Sequence, residues 1–146
     1  MRAVVQRVER ARVSGDGIIP LGDVAGGFCI LLGVARGDDE GKARALARKI
    51  SRLCIFPDDE GRFARSLLDV GGEALVVSQF TLLAETTKGT RPSFSKAAPS
   101  EQAEPLYECF CKALREQGVN VATGRFGALM QVELVNDGPV TIVIDI

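Results

Sequence analysis

The sequence predicts an α/β fold: a single compact domain over residues 1–146, in which a curled mixed β-sheet or partial barrel is covered by two helices. Three observations predict it. Short runs of period-two alternation recur along the chain, separated by glycine-rich turns. Two windows, near 40–54 and 100–117, instead carry apolar residues three or four apart. A length of 146 residues with 46% apolar and 25% charged side chains suits one core of ordinary composition.

Arg2 to Val13 reads as a strand, apolar at Ala3, Val5 and Val8 with one change of phase. Its arginines, Arg2, Arg7, Arg10 and Arg12, read as a solvated face. Gly15-Asp16-Gly17 marks a turn, and Ile18 to Val24 returns as the hairpin partner. Phe28 to Ala35 is almost wholly apolar, as a central strand buried on both faces would be. Asp38 or Asp39 caps the helix that follows. Ala43, Leu46, Ala47, Ile50, Leu53 and Cys54 form its apolar stripe. Pro57-Asp58-Asp59-Glu60-Gly61 is a tight turn, Arg62 to Leu67 a short edge strand, and Gly71-Gly72 a second turn.

Ala74 to Leu83 reads as one strand, with Ser78 and Phe80 on one side and Gln79 and Thr81 on the other. The polar stretch Ala84 to Pro99 follows. At about sixteen residues it exceeds the usual connection, which points to a functional loop. Ser100 caps the second helix, whose apolar face carries Ala103, Leu106, Tyr107, Phe110 and Leu114. Pro105 removes an early hydrogen bond, so regular helix is expected only from there. Gly118 is a fitting stop. Val119 to Thr123 is strand-like, and Gly124-Arg125-Phe126-Gly127 leads into a final hairpin from Met130 to Ile146. Its limbs carry Val132 and Leu134, then Val140, Ile142 and Ile144; its turn is Asn136-Asp137-Gly138-Pro139. The Gly-Pro dipeptide is open to two readings, a plain hairpin turn or a main-chain tool at a site.

Chemistry narrows by subtraction. No apolar run reaches the 18 residues of a membrane span. Met1-Arg2-Ala3 runs straight into strand without a signal-peptide core, so a cytoplasmic protein is expected. Cys29, Cys54, Cys109 and Cys111 form no CxxC pair and read as buried thiols of a reducing compartment. Net charge is −1, so any RNA contact must be local and salt-sensitive. The chain has no histidine, which excludes Ser-His-Asp and Cys-His catalysis and the usual zinc sites. No metal and no cofactor are expected.

Ser78-Gln79-Phe80-Thr81 is the densest polar interruption of an apolar strand. Buried polar groups cost roughly 1–3 kcal/mol when unpaired, so this grouping suggests a site. A strand simply leaving the core is the competing reading. Without a base, neither hydroxyl is a good nucleophile; holding an oxyanion suits them better. Lys88, Arg91 and Lys96 with Phe94 make the long loop basic and aromatic, which suits the end of a single-stranded nucleic acid.

These stretches, taken together, resemble the D-aminoacyl-tRNA deacylase family. The resemblance rests on Val-Gln-Arg-Val at 5–8, Leu-Leu-Gly-Val at 31–34, Val-Ser-Gln-Phe-Thr-Leu at 77–82 and Arg-Pro-Ser-Phe-Ser-Lys at 91–96. It continues in Thr-Gly-Arg-Phe at 123–126, Met-Gln-Val at 130–132 and Val-Asn-Asp-Gly-Pro-Val-Thr at 135–141. The resemblance implies hydrolysis of the ester between a D-amino acid, or glycine, and the tRNA 3′ end. It implies a homodimer with two sites at the subunit interface. Ser78, Gln79, Phe80 and Thr81 would hold the ester and adenosine. A cis Gly138–Pro139 from the other copy would select handedness by excluding L side chains. Met130 matches a position near the pocket, and Arg91 and Pro92 would shape its rim. Phe63-Ala64 departs from the Met-Asn common in the family. The alternative is a nucleic-acid-binding module without catalysis.

Overall fold

The computed structural model describes residues 1–146. Its elements run β1 (Arg2–Gly15), β2 (Ile19–Val24), β3 (Gly27–Gly33), α1 (Glu40–Ser51), β4 (Phe56–Pro57), β5 (Phe63–Arg65), β6 (Glu73–Ser78), a 3₁₀ turn (Phe80–Leu83), α2 (Ser100–Glu116), β7 (Asn120–Thr123) and β8 (Met130–Asp145). The main sheet has the order β2-β1-β3-β6-β7, with β8 on the far edge of β1. β1 is long enough to serve several partners. Along one edge, residues 2–8 pair with β3 and residues 11–15 with β2; along the other edge β8 follows nearly its whole length. β3, β6 and β7 are mutually parallel, which requires long crossovers, and α1 and α2 lie in them. The sheet curls until β2 meets β7: a methyl group on Gly22 would lie 2.7 Å from the Thr123 carbonyl oxygen. The result is the expected α/β domain, a nearly closed barrel with two helices over it.

The larger core lies between sheet and helices, where Val5, Phe28, Ile30 and Leu32 meet Leu46, Ile50, Phe110 and Leu114. Each such side chain contributes on the order of 1.5–3 kcal/mol by leaving water. A smaller cluster, including Val13, Cys29, Leu75 and Val77, fills the inside of the curl. Burial pushes the Cys29 and Cys111 thiols up to about 11, which keeps both protonated and inert.

Several elements differ from the sequence reading. Met130 to Asp145 is one strand, not a hairpin, because β1 offers both limbs a partner and neither needs the other. Arg7 is buried rather than on a solvated face. α1 stops at Ser51, so Leu53 and Cys54 fall beyond the stripe and Cys54 is exposed. Residues 63–65 pair with β4 in a separate two-stranded hairpin, not at the edge of the main sheet. α2 is regular from Ser100, with Pro99 and not Ser100 at its cap position. The carbonyl that Pro105 leaves unbonded belongs to the exposed first turn, where water can satisfy it. Gly118 ends α2 as expected, with Val119 N–H reaching the Leu114 carbonyl at 3.3 Å.

Asp39 is the cap of α1, its carboxylate accepting from the Lys42 amide at 2.8 Å. Asp38 has another task. It is buried and accepts from the Met1 ammonium at 2.7 Å, the Ala35 amide at 2.7 Å and Lys42 Nζ at 3.2 Å. Burial alone would raise this carboxyl, but those three donors outweigh it and hold it below the usual range. Its stabilising contribution is therefore full above the unfolded value of about 3.9 and is lost as pH falls through the lower folded value. Asp38→Asn should cost about 3 kcal/mol at pH 7, since it strands a buried ammonium, and should flatten the acid limb of a urea-unfolding series. An unchanged midpoint would contradict this.

Candidate active site

β6 ends at Ser78 because the next backbone turns. The Gln79 amide still donates to the Leu32 carbonyl at 2.8 Å, but Gln79 then leaves the ladder and Phe80–Leu83 form a 3₁₀ turn. The single strand expected through Leu83 is thus cut short. The alternation predicted for Ser78, Gln79, Phe80 and Thr81 fails with it. Gly33 makes the turn possible: a methyl group there would sit 2.4 Å from Leu83 Cδ2 and 3.0 Å from the Gln79 carbonyl oxygen. Arg2 secures the far end, its Nη1 donating to the Leu82 carbonyl at 3.1 Å. A 3₁₀ turn leaves its first amides without intrahelical acceptors, so Phe80 and Thr81 N–H groups open the turn as free donors.

In front of this turn lies a cleft of about 600 Å³. Ser78, Gln79, Phe80 and Met130 line it together, as does Phe126. Met130 is held at the mouth, its sulfur accepting from the Arg125 amide at 3.4 Å. Leu129, on the rim, is 84% exposed. The Gln79 side-chain amide donates to Thr81 Oγ1, so the threonine hydroxyl faces a donor and no base. Among the expected residues, Thr81, Arg91 and Pro92 do not line the cleft. Arg91 and Pro92 are exposed on the tongue between Glu85 and Ser93, whose backbones pair with each other. Phe126 is a site residue that the sequence reading missed. Its signal is an aromatic between Gly124 and Gly127, in the Thr-Gly-Arg-Phe stretch that carries part of the resemblance without a role assigned to it.

Gly138 and Pro139 lie elsewhere. Gln6 pairs with Thr141 and Val8 with Asn136, so Asp137, Gly138, Pro139 and Val140 all stand opposite Arg7. The Asn136 side chain spans the excursion, accepting from the Val140 amide at 3.0 Å and donating to Thr141 Oγ1 at 3.1 Å. The Gly138–Pro139 peptide is cis. Gly138 has φ +130°, and a methyl group on it would meet Val140 Cγ2 at 2.7 Å and Arg7 Nη2 at 3.2 Å. Beneath it, Arg7 Nε donates to the Asp137 carbonyl at 3.1 Å and lies 3.2 Å from the Asp137 carboxylate; its Nη1 donates to the Ile55 carbonyl at 2.6 Å. The Phe63 ring covers the guanidinium at 5.8 Å. Phe63 therefore packs on the group beneath the Gly-Pro excursion.

The cleft and the excursion are apart within one chain. Ser78 shares a row with Leu32 and Ala3, whereas the excursion shares a row with Arg7 and Phe28. Four residues along the strands and three strand spacings across put them roughly 13 Å and 14 Å apart in the two directions. Both Gly138 and Pro139 are exposed.

The sequence profile described as D-Tyr-tRNA(Tyr) deacylase matches residues 4–145. A D-aminoacyl-tRNA deacylase of Roseiflexus castenholzii is 61% identical over 99% of this chain and 92% of its own. A solved structure of a c-Myc DNA Unwinding Element Binding Protein superposes with a TM-score of 0.92 at 42% identity, covering 99% of this chain and 98% of that one. A probable eukaryotic D-amino acid tRNA deacylase shares the fold, with a TM-score of 0.86 at 17% identity over 99% and 98% of the two chains. A curled α/β domain with a histidine-free cleft and these relatives is a hydrolase that acts on aminoacyl-tRNA. The chain belongs to the D-Tyr-tRNA(Tyr) deacylase family.

Arg7 makes a direct test of the excursion's support. Arg7→Met keeps the apolar stem and orphans the buried Ile55 carbonyl. Urea unfolding should show a loss of about 2 kcal/mol; an unchanged midpoint would mean that the guanidinium contributes nothing.

Proposed function

We propose that the protein removes D-amino acids, and glycine mischarged on alanine tRNA, from the tRNA 3′ end, and that each site is shared between two copies of the chain. The observation that carries this reading is the separation just described. One copy offers a cleft with free main-chain donors, and the exposed Gly138–Pro139 excursion that would complete it stands too far away on the same copy. A second copy, set against the long free edge of β8, brings an excursion to each cleft. Exposed Val132 and Val143 on that strand favour burial against a partner.

An aminoacyl ester is already activated, so the demands on the protein are modest. The Ser78–Thr81 turn holds the ester carbonyl, with the Phe80 and Thr81 amides as donors to the developing oxyanion. One such donor lowers a barrier by ~3–4 kcal/mol. Water attacks the carbonyl carbon, the bond to the ribose 3′ oxygen breaks, and that oxygen takes up a proton as free tRNA leaves. The neighbouring 2′-hydroxyl can relay the proton, which suits a site without histidine. Thr81 as nucleophile fits less well, because Gln79 donates to its hydroxyl and cannot accept a proton from it.

Chirality is read by exclusion. Main-chain carbonyls of Gly138 and Pro139 from the second copy hold the substrate ammonium. An L side chain then points into protein, while a D side chain points to solvent. Any D side chain is tolerated on this account. One solved relative is named as a DNA-unwinding-element binding protein. A role limited to nucleic-acid binding sits poorly with this chain's net charge of −1.

Incubation with D-tyrosyl-tRNA and L-tyrosyl-tRNA tests the reading. D-tyrosine should be released rapidly and L-tyrosyl-tRNA spared; equal release of both, or of neither, would contradict it. Gly138→Ala, which forces a side chain into a positive-φ position against Val140, should lower the rate or the D-over-L ratio.

A further inference from the structure

The stretch 85–97 is long and polar, yet it is pinned at several points. Glu85 and Ser93 exchange backbone hydrogen bonds at 2.8 and 2.9 Å. Lys96 Nζ reaches the Glu85 carboxylate at 2.7 Å. Arg36 holds the C-terminal side twice, its amide donating to the Lys96 carbonyl at 2.9 Å and its Nε to the Ser95 carbonyl at 2.8 Å. Ala35 and Ala97 form a bridge that joins the stretch to the end of β3. Between these ties the chain presents Phe94. Its ring meets the Phe80 ring edge-on, with centroids 5.1 Å apart and planes at 66°.

This contact is informative because of where it stops. Phe80 lines the cleft and opens the 3₁₀ turn; Phe94 does not line the cleft. Phe80 is 55% exposed and Phe94 38% exposed, so neither ring is part of the core. A half-exposed phenylalanine at the start of a short turn needs a packing partner to fix its rotamer. The opposed ring edge of Phe94 supplies that restraint, and the backbone ties at Glu85, Arg36 and Ala35 fix Phe94 in turn.

We propose that Phe94 is a positioning residue for ester hydrolysis: the pinned loop uses its ring to hold Phe80, and through Phe80 the main-chain donors of the turn, in productive register with the scissile carbonyl. The inference rests on the deacylase reading given above. It makes the long loop a brace of the active site and assigns its exposed aromatic a role in turnover rather than in substrate affinity.

Steady-state kinetics on D-tyrosyl-tRNA test it, using the full chain and three variants. Phe94→Ala should lower kcat by at least about tenfold, the scale expected when a catalytic group is displaced by a fraction of an ångström to an ångström, with KM changed by less than about twofold. Phe94→Leu, which keeps an apolar side chain but no ring edge, should also lose turnover. Phe94→Tyr, which keeps the ring, should restore it. Urea-unfolding midpoints report folding in parallel. Unchanged kcat in a folded Phe94→Ala, a defect confined to KM, full activity in Phe94→Leu, or failure of Phe94→Tyr to rescue would each overturn the proposal. If the unaltered protein leaves D-tyrosyl-tRNA intact, the deacylase reading fails and this inference falls with it; an active parent with an indifferent Phe94 sinks this inference alone.

Discussion

Asp137 to Val140 stand opposite one residue of β1, and that residue is a buried arginine. Four residues against one cannot stay in a ladder, so the chain must leave the sheet and return. A strand edge that loses its pairing is normally a weak point. Here the gap is filled by a guanidinium that hydrogen-bonds the Asp137 carbonyl on one side and the Ile55 carbonyl on the other. A buried arginine is costly unless its donors are used. The Asn136 side chain replaces the missing rungs across the excursion. The main chain of Gly138 and Pro139 is thereby presented outward from a rigid base. The handedness selection proposed above would need that rigidity, because a clamp that yields would admit both enantiomers.

The cleft depends on how space is left beside β6. Gly33 provides the room, the strand ends at Ser78, and a tight 3₁₀ turn opens with the Phe80 and Thr81 amides. The turn is held from three sides: by the Gln79 amide on β3, by Arg2 on the Leu82 carbonyl, and by the Phe94 ring on Phe80. None of these contacts needs an ionisable catalytic side chain. A histidine-free sequence can therefore still arrange dipoles around a reactive carbonyl, and an activated ester requires little more.

Much of this is legible in the sequence, and the largest failures share a cause. The apolar run read from Phe28 to Ala35, the stripe on α1 as far as Ile50 and the stop at Gly118 depend on local pattern, and each appears close to where that pattern places it. The residues Ser78, Gln79, Phe80 and Met130 were also identifiable and do meet in one cleft. What local pattern could not show was partner choice. The tail looked like a hairpin because two alternating limbs flank Asn-Asp-Gly-Pro, yet both limbs chose β1. Arg7 reads as solvated when grouped with the other arginines of β1, yet it shares the covered phase of Ala3 and Val5 and meets Asp137, Ile55 and Phe63 there. The strand read through Leu83 ends early at a turn that has room only because of Gly33, a residue more than forty positions away in the chain. The tail and the early end of β6 turn on interactions between distant segments, which periodicity in one segment does not encode.

The central claim is that each site draws its cleft from one copy and its excursion from another. Subunit complementation tests it most directly. A chain disabled at Gln79 is mixed, under refolding or co-expression, with a chain disabled at Gly138, and D-tyrosyl-tRNA hydrolysis is measured for the hybrid. A shared site predicts that activity absent from either variant alone returns in the hybrid, because one of its two sites then contains only unaltered residues. A hybrid that assembles and stays as inactive as its parents would contradict the account.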